Sequence, residues 1–152
     1  MKGKLFEELR KAIINYDVNL AEELAKNTID NGIDPIETIE ILTKSIAEIG
    51  EKFEKNELFL PELMMGAKML QLAMGPLDEE MKKRGLKVKS AGKVVIGTVY
   101  GDIHDIGKNI VATLLKANGF DVMDLGINVK SKNFIESVKN FKPEILAIIL
   151  GQ

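Results

Sequence analysis

The 152-residue sequence is 45% hydrophobic and 29% charged, with a formal net charge of −2 and no cysteine. Charges of both signs are interspersed, so no nucleic-acid-binding surface is expected, and the lack of cysteine excludes disulfides and thiolate metal sites. No apolar stretch is long enough to span a bilayer and the N-terminus is unlike a signal peptide, which together favour a cytoplasmic protein with no membrane partner.

Four amphipathic helices are predicted in the first half of the chain. The second is expected to begin at Asn19, where a cap residue precedes an apolar face. The third is expected to begin at Asp34, because Pro35 follows it in the first turn. The fourth is expected to begin at Pro61 and to be kinked or broken at Pro76. Short loops between these helices favour a four-helix bundle.

The second half of the chain has a different pattern. Residues 82–92 are predicted to form a linker, since they are rich in Lys, Arg, Gly and Ser without an apolar period. Beyond it, short β-branched runs alternate with helical patterns, which predicts a parallel sheet with right-handed crossovers. The strands are expected at 93–99, 120–125 and 145–150, and the helices at 106–118 and 131–141. The fold class is therefore α/β, with a four-helix bundle at 1–88 and an incomplete Rossmann-like (flavodoxin-like) sheet at 89–152.

The loop after the first predicted strand contains the only histidine of the sequence, His104. Asp102 lies two residues before it, so a carboxylate can accept one imidazole N–H and leave the other nitrogen for a metal. Gly107 has no side chain and would let a flat ligand approach the backbone. If the second and third strands flank the first, this loop lies at the topological switch point, where α/β sheets bind ligands. An alternative stays open, in which Asp102 or Asp105 only caps the next helix.

The segment 98–111 resembles the lower-ligand motif of corrinoid (vitamin B12) binding proteins. Its D-x-H-x-x-G core is preceded by Gly101 and followed by Lys108. The chain is most similar to the small corrinoid proteins of methyltransferase systems that serve methylamines, methanol or methoxyaromatics, and cobalamin-dependent methionine synthase carries a similar module. The resemblance covers nearly the whole chain, including the helical part.

This resemblance implies a cofactor, a function and a set of site residues. The cofactor is cobalamin, His104 is its lower axial cobalt ligand, and Asp102 is the partner of that imidazole. Further corrinoid contacts implied by the resemblance are Asp105, Ile106, Gly107 and Gly126. The implied function is a methyl carrier, on which cobalt alternates between Co(I) and methyl-Co(III) while a substrate-specific methyltransferase loads it and an acceptor methyltransferase unloads it. Because no acid/base pair or nucleophile for activating a methyl donor is seen, a carrier subunit is expected, not a complete enzyme.

Residues 57–65 resemble the helical segment that covers the upper face of the corrin in this family. Within it, Leu63 and Met64 are candidate cofactor contacts, since an apolar, polarizable lid would suit a methylated cobalt. The alternative is ordinary bundle core, which is the commoner place for a single methionine.

The predicted α/β part is small for its class. Three strands and two helices make a unit of roughly 60 residues, near the lower limit for a stable core. The third strand is expected to keep an uncovered apolar face, and association of two copies through this face would form a homo-oligomer. The family that it resembles continues for two more strands, with a serine near the end of strand three and a later Gly-Gly pair. Ile149 stands at the serine position, so the resemblance implies a shortened member with a weaker hold on the nucleotide tail.

Other interpretations of the loop are weaker. A phosphate-binding loop requires four residues between its glycines, whereas five separate Gly101 from Gly107, and Asn109 stands where Ser or Thr should hold magnesium. A receiver domain would need an aspartate after the third strand. The alternative left open is a non-catalytic cobalamin-binding or regulatory protein, or a remnant that no longer holds the cofactor tightly.

Overall fold

Six helices and three parallel strands make up residues 1–87, 89–102 and 106–150, the part of the chain that this computed structural model describes. They divide into two units, Met1–Lys89 and Ser90–Gln152. The helical unit contains α1 (Lys2–Ile14), α2 (Val18–Asp30), α3 (Pro35–Glu54) and α4 (Leu60–Lys83). The α/β unit contains β1 (Lys93–Thr98), α5 (Ile106–Ala117), β2 (Asp121–Asp124), α6 (Ser131–Phe141) and β3 (Ile145–Ile149). No helix in the described ranges is long and apolar enough to cross a membrane.

The four N-terminal helices form the predicted bundle. Both α1 and α4 pack against α2 and α3, so α1 and α4 lie on one diagonal of the bundle. Gly66 lets α4 approach α3 closely, because a Cβ added there would lie 3.1 Å from the Cδ1 atoms of Ile46 and Ile49. Fully buried side chains at the centre include Leu9, Ile13, Leu42 and Leu77.

An ion pair also joins α1 to α3 in the bundle. The Arg10 guanidinium donates to both carboxylate oxygens of Glu48, at 2.7 and 2.8 Å. These charge-assisted bonds hold the pKa of the Glu48 carboxyl below its ordinary value.

Helix α2 begins slightly earlier than the sequence predicts. The carboxylate of Asp17 accepts from the backbone N–H of Leu20 at 3.2 Å, so Asp17 is the cap and the helix begins at Val18. The expected start at Asn19 is therefore wrong, because an acidic cap two residues earlier satisfies an N–H of the first turn. At α3 the prediction is confirmed, since Asp34 accepts from the backbone N–H of the second helical residue.

Helix α4 is not broken at Pro76. It runs from Leu60, one residue before the predicted start at Pro61, to Lys83. Proline lacks the N–H that would bond to the carbonyl of Leu72, but Leu72 is 46% exposed and lies on the solvent side. After the proline, Leu77 continues the buried stripe, and burial of this face keeps the residues beyond Pro76 helical. Of the two predicted outcomes, a kink or a break, the break does not occur for that reason, and the helix includes the first two residues of the predicted linker.

The three strands form a parallel sheet in the order β2-β1-β3, so β1 is central, as the switch-point argument requires. Val94 of β1 lies opposite Val122 of β2 and Ile145 of β3. The crossover from β1 to β2 and the crossover from β2 past β1 to β3 run in opposite directions across the sheet, so right-handed connections place α5 and α6 on opposite faces. In this unit every predicted strand and helix end falls within one residue of its observed position.

A glycine on the central strand lets α6 approach the sheet. A Cβ added at Gly97 would lie 3.0 Å from Cε1 of Phe134 and 3.2 Å from Cγ2 of Val129. Val95, Val129 and Phe134 form the buried cluster on this face. The packing of an aromatic ring on a bare backbone fixes the position of α6 on β1.

Strand β3 keeps much of its apolar surface uncovered. Ile145 is 46% exposed and Ile148 is 48% exposed, whereas Val94 and Ile96 of the neighbouring β1 are completely buried. The predicted exposure of the third strand is confirmed in the described residues.

Candidate functional site

The loops that follow β1 and β2 lie side by side at the carboxyl edge of the sheet. The backbone N–H of Thr98 donates to the carbonyl of Gly126 at 2.9 Å, and the N–H of Val129 donates to the carbonyl of Thr98 at 2.8 Å. Val99 and Val129 continue the parallel pairing by an isolated bridge. The loop after β1, which carries the histidine motif, is therefore bordered by the segment that leads from β2 into α6.

The sequence-predicted site residues fall into three groups. Asp102 follows β1, Gly107 lies in the first turn of α5, and Gly126 follows β2, so all three belong to this edge of the α/β unit. The half-buried Leu63 and Met64 lie near the start of α4 in the helical unit. His104, Asp105 and the side chain of Ile106 lie outside the described residues.

The loop carrying Asp102 is held by Asn128. The backbone N–H of Gly101 donates to Oδ1 of Asn128 at 2.7 Å, and the backbone N–H of Asn128 donates to the carbonyl of Asp102 at 3.0 Å. The N–H of Asp102 donates back to Val99 at 3.1 Å, which closes the turn. The last two residues before the segment 103–105 are thus fixed by bonds from a different loop.

A partly buried ion pair lies on the other side of that segment. Lys108 of α5 donates from Nζ to both carboxylate oxygens of Asp124, each at 2.9 Å. Oδ1 of the same aspartate accepts from the backbone N–H of Gly126 at 2.8 Å. This pair joins the first turn of α5 to the end of β2. Because the lysine is buried, the pair is favourable only if its hydrogen-bond geometry is good.

The described residues leave open space beside the glycines at this edge of the sheet. A Cβ added at Gly101, Gly107 or Gly126 meets no heavy atom of the described residues within 4 Å. Gly101 and Gly126 have φ of 84° and 85°, a conformation that L side chains rarely adopt. Among the described residues no cluster of three His, Cys, Asp or Glu could hold a metal.

Two family profiles, both described as B12 binding domain, match residues 5–77 and 92–151 of the chain. Trimethylamine corrinoid protein 1 of Methanosarcina acetivorans is 44% identical over 147 residues, which is 96% of this chain and 68% of the relative. The chain belongs to the family of B12-binding corrinoid proteins. The cofactor of the family is a corrinoid, and the resemblance found in the sequence is confirmed.

Further members of the corrinoid protein family show the same relationship. Monomethylamine corrinoid protein 1 of Methanosarcina barkeri is 36% identical, over 96% of this chain and 68% of its own length. A crystal structure of the methanol:cobalamin methyltransferase complex from Methanosarcina barkeri matches the whole chain with a TM-score of 0.87 and 32% identity. A cobalamin-binding protein from Desulfitobacterium hafniense matches 94% of the chain with a TM-score of 0.72 and 33% identity. The chain spans 58% of the matched chain in the first structure and 67% in the second. These matches confirm the predicted fold class, an α/β fold with an N-terminal helical bundle and a Rossmann-like B12-binding domain.

Sequence analysis missed two features of this site. Asn128 was not singled out, although an asparagine shortly after Gly126 is a signal for a left-handed turn residue. Lys108 directly follows the D-x-H-x-x-G core, but its pairing with Asp124 is not predicted by the motif. Both contacts join residues that are far apart in the sequence, so spacing within the motif does not predict them.

Proposed function

We propose that this corrinoid protein is a methyl carrier in which His104 supplies the lower axial ligand of cobalt. The observation that supports it is the place of the only histidine in the sequence, between Asp102 after β1 and Ile106 at the start of α5. The carboxyl end of a central parallel strand is where open α/β sheets bind ligands. Imidazole is a suitable ligand for a first-row transition metal.

The residues present at this edge fit a large flat cofactor. The open space beside Gly101, Gly107 and Gly126 would let a corrin ring or its tail approach the backbone. A single imidazole would be a suitable donor to the metal of such a cofactor. In this proposal Asp105 and Ile106 also contact the corrinoid.

Asp102 is proposed to orient the ligand. Its carboxylate would accept one imidazole N–H of His104, which fixes the tautomer and leaves the other nitrogen for the metal. When bound, the corrinoid supplies a cobalt ion that accepts a methyl group from one protein and passes it to another. The residues of this chain bind and orient the corrinoid, and in this proposal the chain works as a carrier subunit.

The helical unit is proposed to supply a second set of contacts, from Leu63 and Met64. The neighbouring Phe59 is 73% exposed and Met65 is 53% exposed, so the start of α4 presents an apolar surface. Such a surface is suited to keep water from a reactive metal. We propose a helical cap domain at 1–88 and a corrinoid-binding domain at 89–152.

Two methyltransferases are the proposed partners, one specific for the methyl donor and one for the acceptor. Relatives named as trimethylamine corrinoid proteins share 40–44% identity with this chain. This supports a methylated amine as the class of donor. The test is to load the purified protein with cobalamin and measure methyl transfer from trimethylamine, monomethylamine and methanol with their methyltransferases.

Binding by His104 is tested by titrating hydroxocobalamin into the protein and following the absorbance. The wild type should show a saturable change that marks histidine ligation, and His104→Gly should lack it. Free imidazole added to His104→Gly should restore the change, which distinguishes a lost ligand from a lost fold. An identical change in wild type and variant would reject ligation by His104. If neither protein binds hydroxocobalamin, the proposal is rejected and the chain is a remnant that no longer holds the cofactor.

Self-association is a further proposal, supported by the exposed apolar side chains of β3. Ile148 is 48% exposed on this strand. Analytical ultracentrifugation should show a larger species for the wild type than for Ile148→Lys, and equal masses would reject it.

A further inference from the structure

We propose that Asn128 is the positioning residue of the ligand loop, because its side chain and its backbone hold Gly101 and Asp102, the last two residues before the segment 103–105. The inference rests on the proposed ligation by His104. It concerns a residue outside the D-x-H-x-x-G motif, on a different loop of the same sheet edge.

Asn128 acts on both residues that precede the segment 103–105. Its Oδ1 accepts from the N–H of Gly101 at 2.7 Å, and its own N–H donates to the carbonyl of Asp102 at 3.0 Å. Both bonds are short enough to be strong, and together they fix the peptide planes on either side of Gly101–Asp102. Gly101 needs such support, because glycine loses more conformational freedom on ordering than any other residue.

The conformation of Asn128 explains why asparagine stands here. Its φ is 55°, in the left-handed region, which Asn and Asp tolerate better than other side chains. Glycine would adopt this backbone as easily but offers no acceptor to Gly101. Aspartate would keep the acceptor. The backbone and side-chain roles of residue 128 can therefore be separated by two substitutions.

The same segment also holds the chain beyond 103–105. Asp124, four residues before Asn128, bonds Lys108 at 2.9 Å and the backbone N–H of Gly126 at 2.8 Å. Residues 124–128 thus anchor the loop after β1 on its entry side and α5 on its exit side. A ligand whose support is fixed at both ends is preorganised. In known sites, loss of a residue that hydrogen-bonds a metal ligand lowers metal affinity about 10- to 100-fold, and Asn128 acts one step further out, on the backbone before the ligand.

The experiment compares Asn128→Gly and Asn128→Asp in the full chain, with hydroxocobalamin as the probe. Absorbance titration gives Kd, and electron paramagnetic resonance of the reduced Co(II) form reports nitrogen coordination from His104. Lys142→Gly is the matched control, since Lys142 is another left-handed residue, with φ of 53°, at the end of α6. It introduces the same backbone freedom away from the loop.

Asn128→Gly should weaken binding about tenfold and reduce the fraction of nitrogen-coordinated Co(II). Asn128→Asp and Lys142→Gly should resemble the wild type. Wild-type behaviour of Asn128→Gly would overturn the inference, as would equal losses in Asn128→Gly and Lys142→Gly. If circular dichroism shows Asn128→Gly unfolded, Asn128→Asp decides, because loss of nitrogen coordination there would overturn it and retention would support it. Absence of nitrogen coordination in the wild type would reject the proposed function itself.

Discussion

The ammonium group of Lys108 donates to both carboxylate oxygens of Asp124 at 2.9 Å, yet the lysine side chain is 4% exposed and that of the aspartate is 27% exposed. The two partners therefore differ in what their removal leaves behind. Without Asp124, the buried ammonium group of Lys108 loses two charge-assisted hydrogen bonds. Without Lys108, water and the N–H of Gly126 still satisfy the carboxylate.

We expect Asp124→Ala to lower the free energy of unfolding by about 3 kcal/mol and Lys108→Met to lower it by less than half as much. The methionine keeps most of the apolar stem that packs in the interior. Urea unfolding of the apo-protein gives both values from the transition midpoints. Equal losses for the two variants would show that burial of the lysine charge does not govern this pair.

Gly97 should not tolerate even one methyl group. A Cβ there would lie 3.0 Å from the ring of Phe134, and an aromatic ring inside a packed cluster cannot move aside as a flexible side chain can. We expect Gly97→Ala to lower the free energy of unfolding by about 1–3 kcal/mol. Gly107→Ala in the same unit is the control, because nothing lies within 4 Å of its added Cβ. A Gly97→Ala protein as stable as this control would contradict the close packing of α6 on β1.

Gly107→Leu should separate cofactor binding from folding. The open space around this position predicts a change in the free energy of unfolding of the apo-protein within about 0.5 kcal/mol. If the corrinoid lies against the backbone there, the side chain should weaken hydroxocobalamin binding about tenfold or more, which equals about 1.4 kcal/mol. Absorbance titration and thermal unfolding of one preparation supply both numbers. Unchanged affinity would remove Gly107 from the proposed site.

The α/β unit should lose stability in acid partly through Glu144. Its carboxylate accepts from the backbone N–H of Lys93 at 2.6 Å, and this bond holds the pKa of Glu144 below its ordinary value of 4.5. A carboxyl whose pKa is lower in the folded state stabilises it above about pH 4.5, and the contribution disappears as pH falls through the lowered pKa. Urea midpoints at pH 7 and pH 3 should therefore differ less for Glu144→Gln than for the wild type. An equal pH dependence of the urea midpoints in Glu144→Gln and the wild type would show that Glu144 makes no such contribution.

The α/β unit could be predicted well because local and global signals agree there. The β-branched run that became β1 is buried on both faces, and the alternation of short apolar runs with helical patterns, together with crossover handedness, predicted one parallel sheet. The bundle was predicted for the same reason. The errors are local, at the start of α2 and at Pro76, where a nearer cap and the burial of Leu77 outweighed propensity.

The motif around His104 was found from sequence, but its support was not. Asn128 is 27 residues from Gly101, and Asp124 is 16 residues from Lys108. Pairings over such separations depend on how the strands are ordered in the sheet. A sequence pattern of a few residues describes the ligand and cannot describe the loop that holds it.

The bundle and the sheet also differ in how far along the chain their contacts reach. The helices of the bundle are joined by short turns, whereas Lys93 and Glu144, which meet beside the central strand, are 51 residues apart. Loop-closure entropy grows with such separation, and non-local pairing slows folding. The sheet should therefore assemble more slowly than the individual helices, and stopped-flow refolding should show helix signal recovering before corrinoid-binding capacity returns.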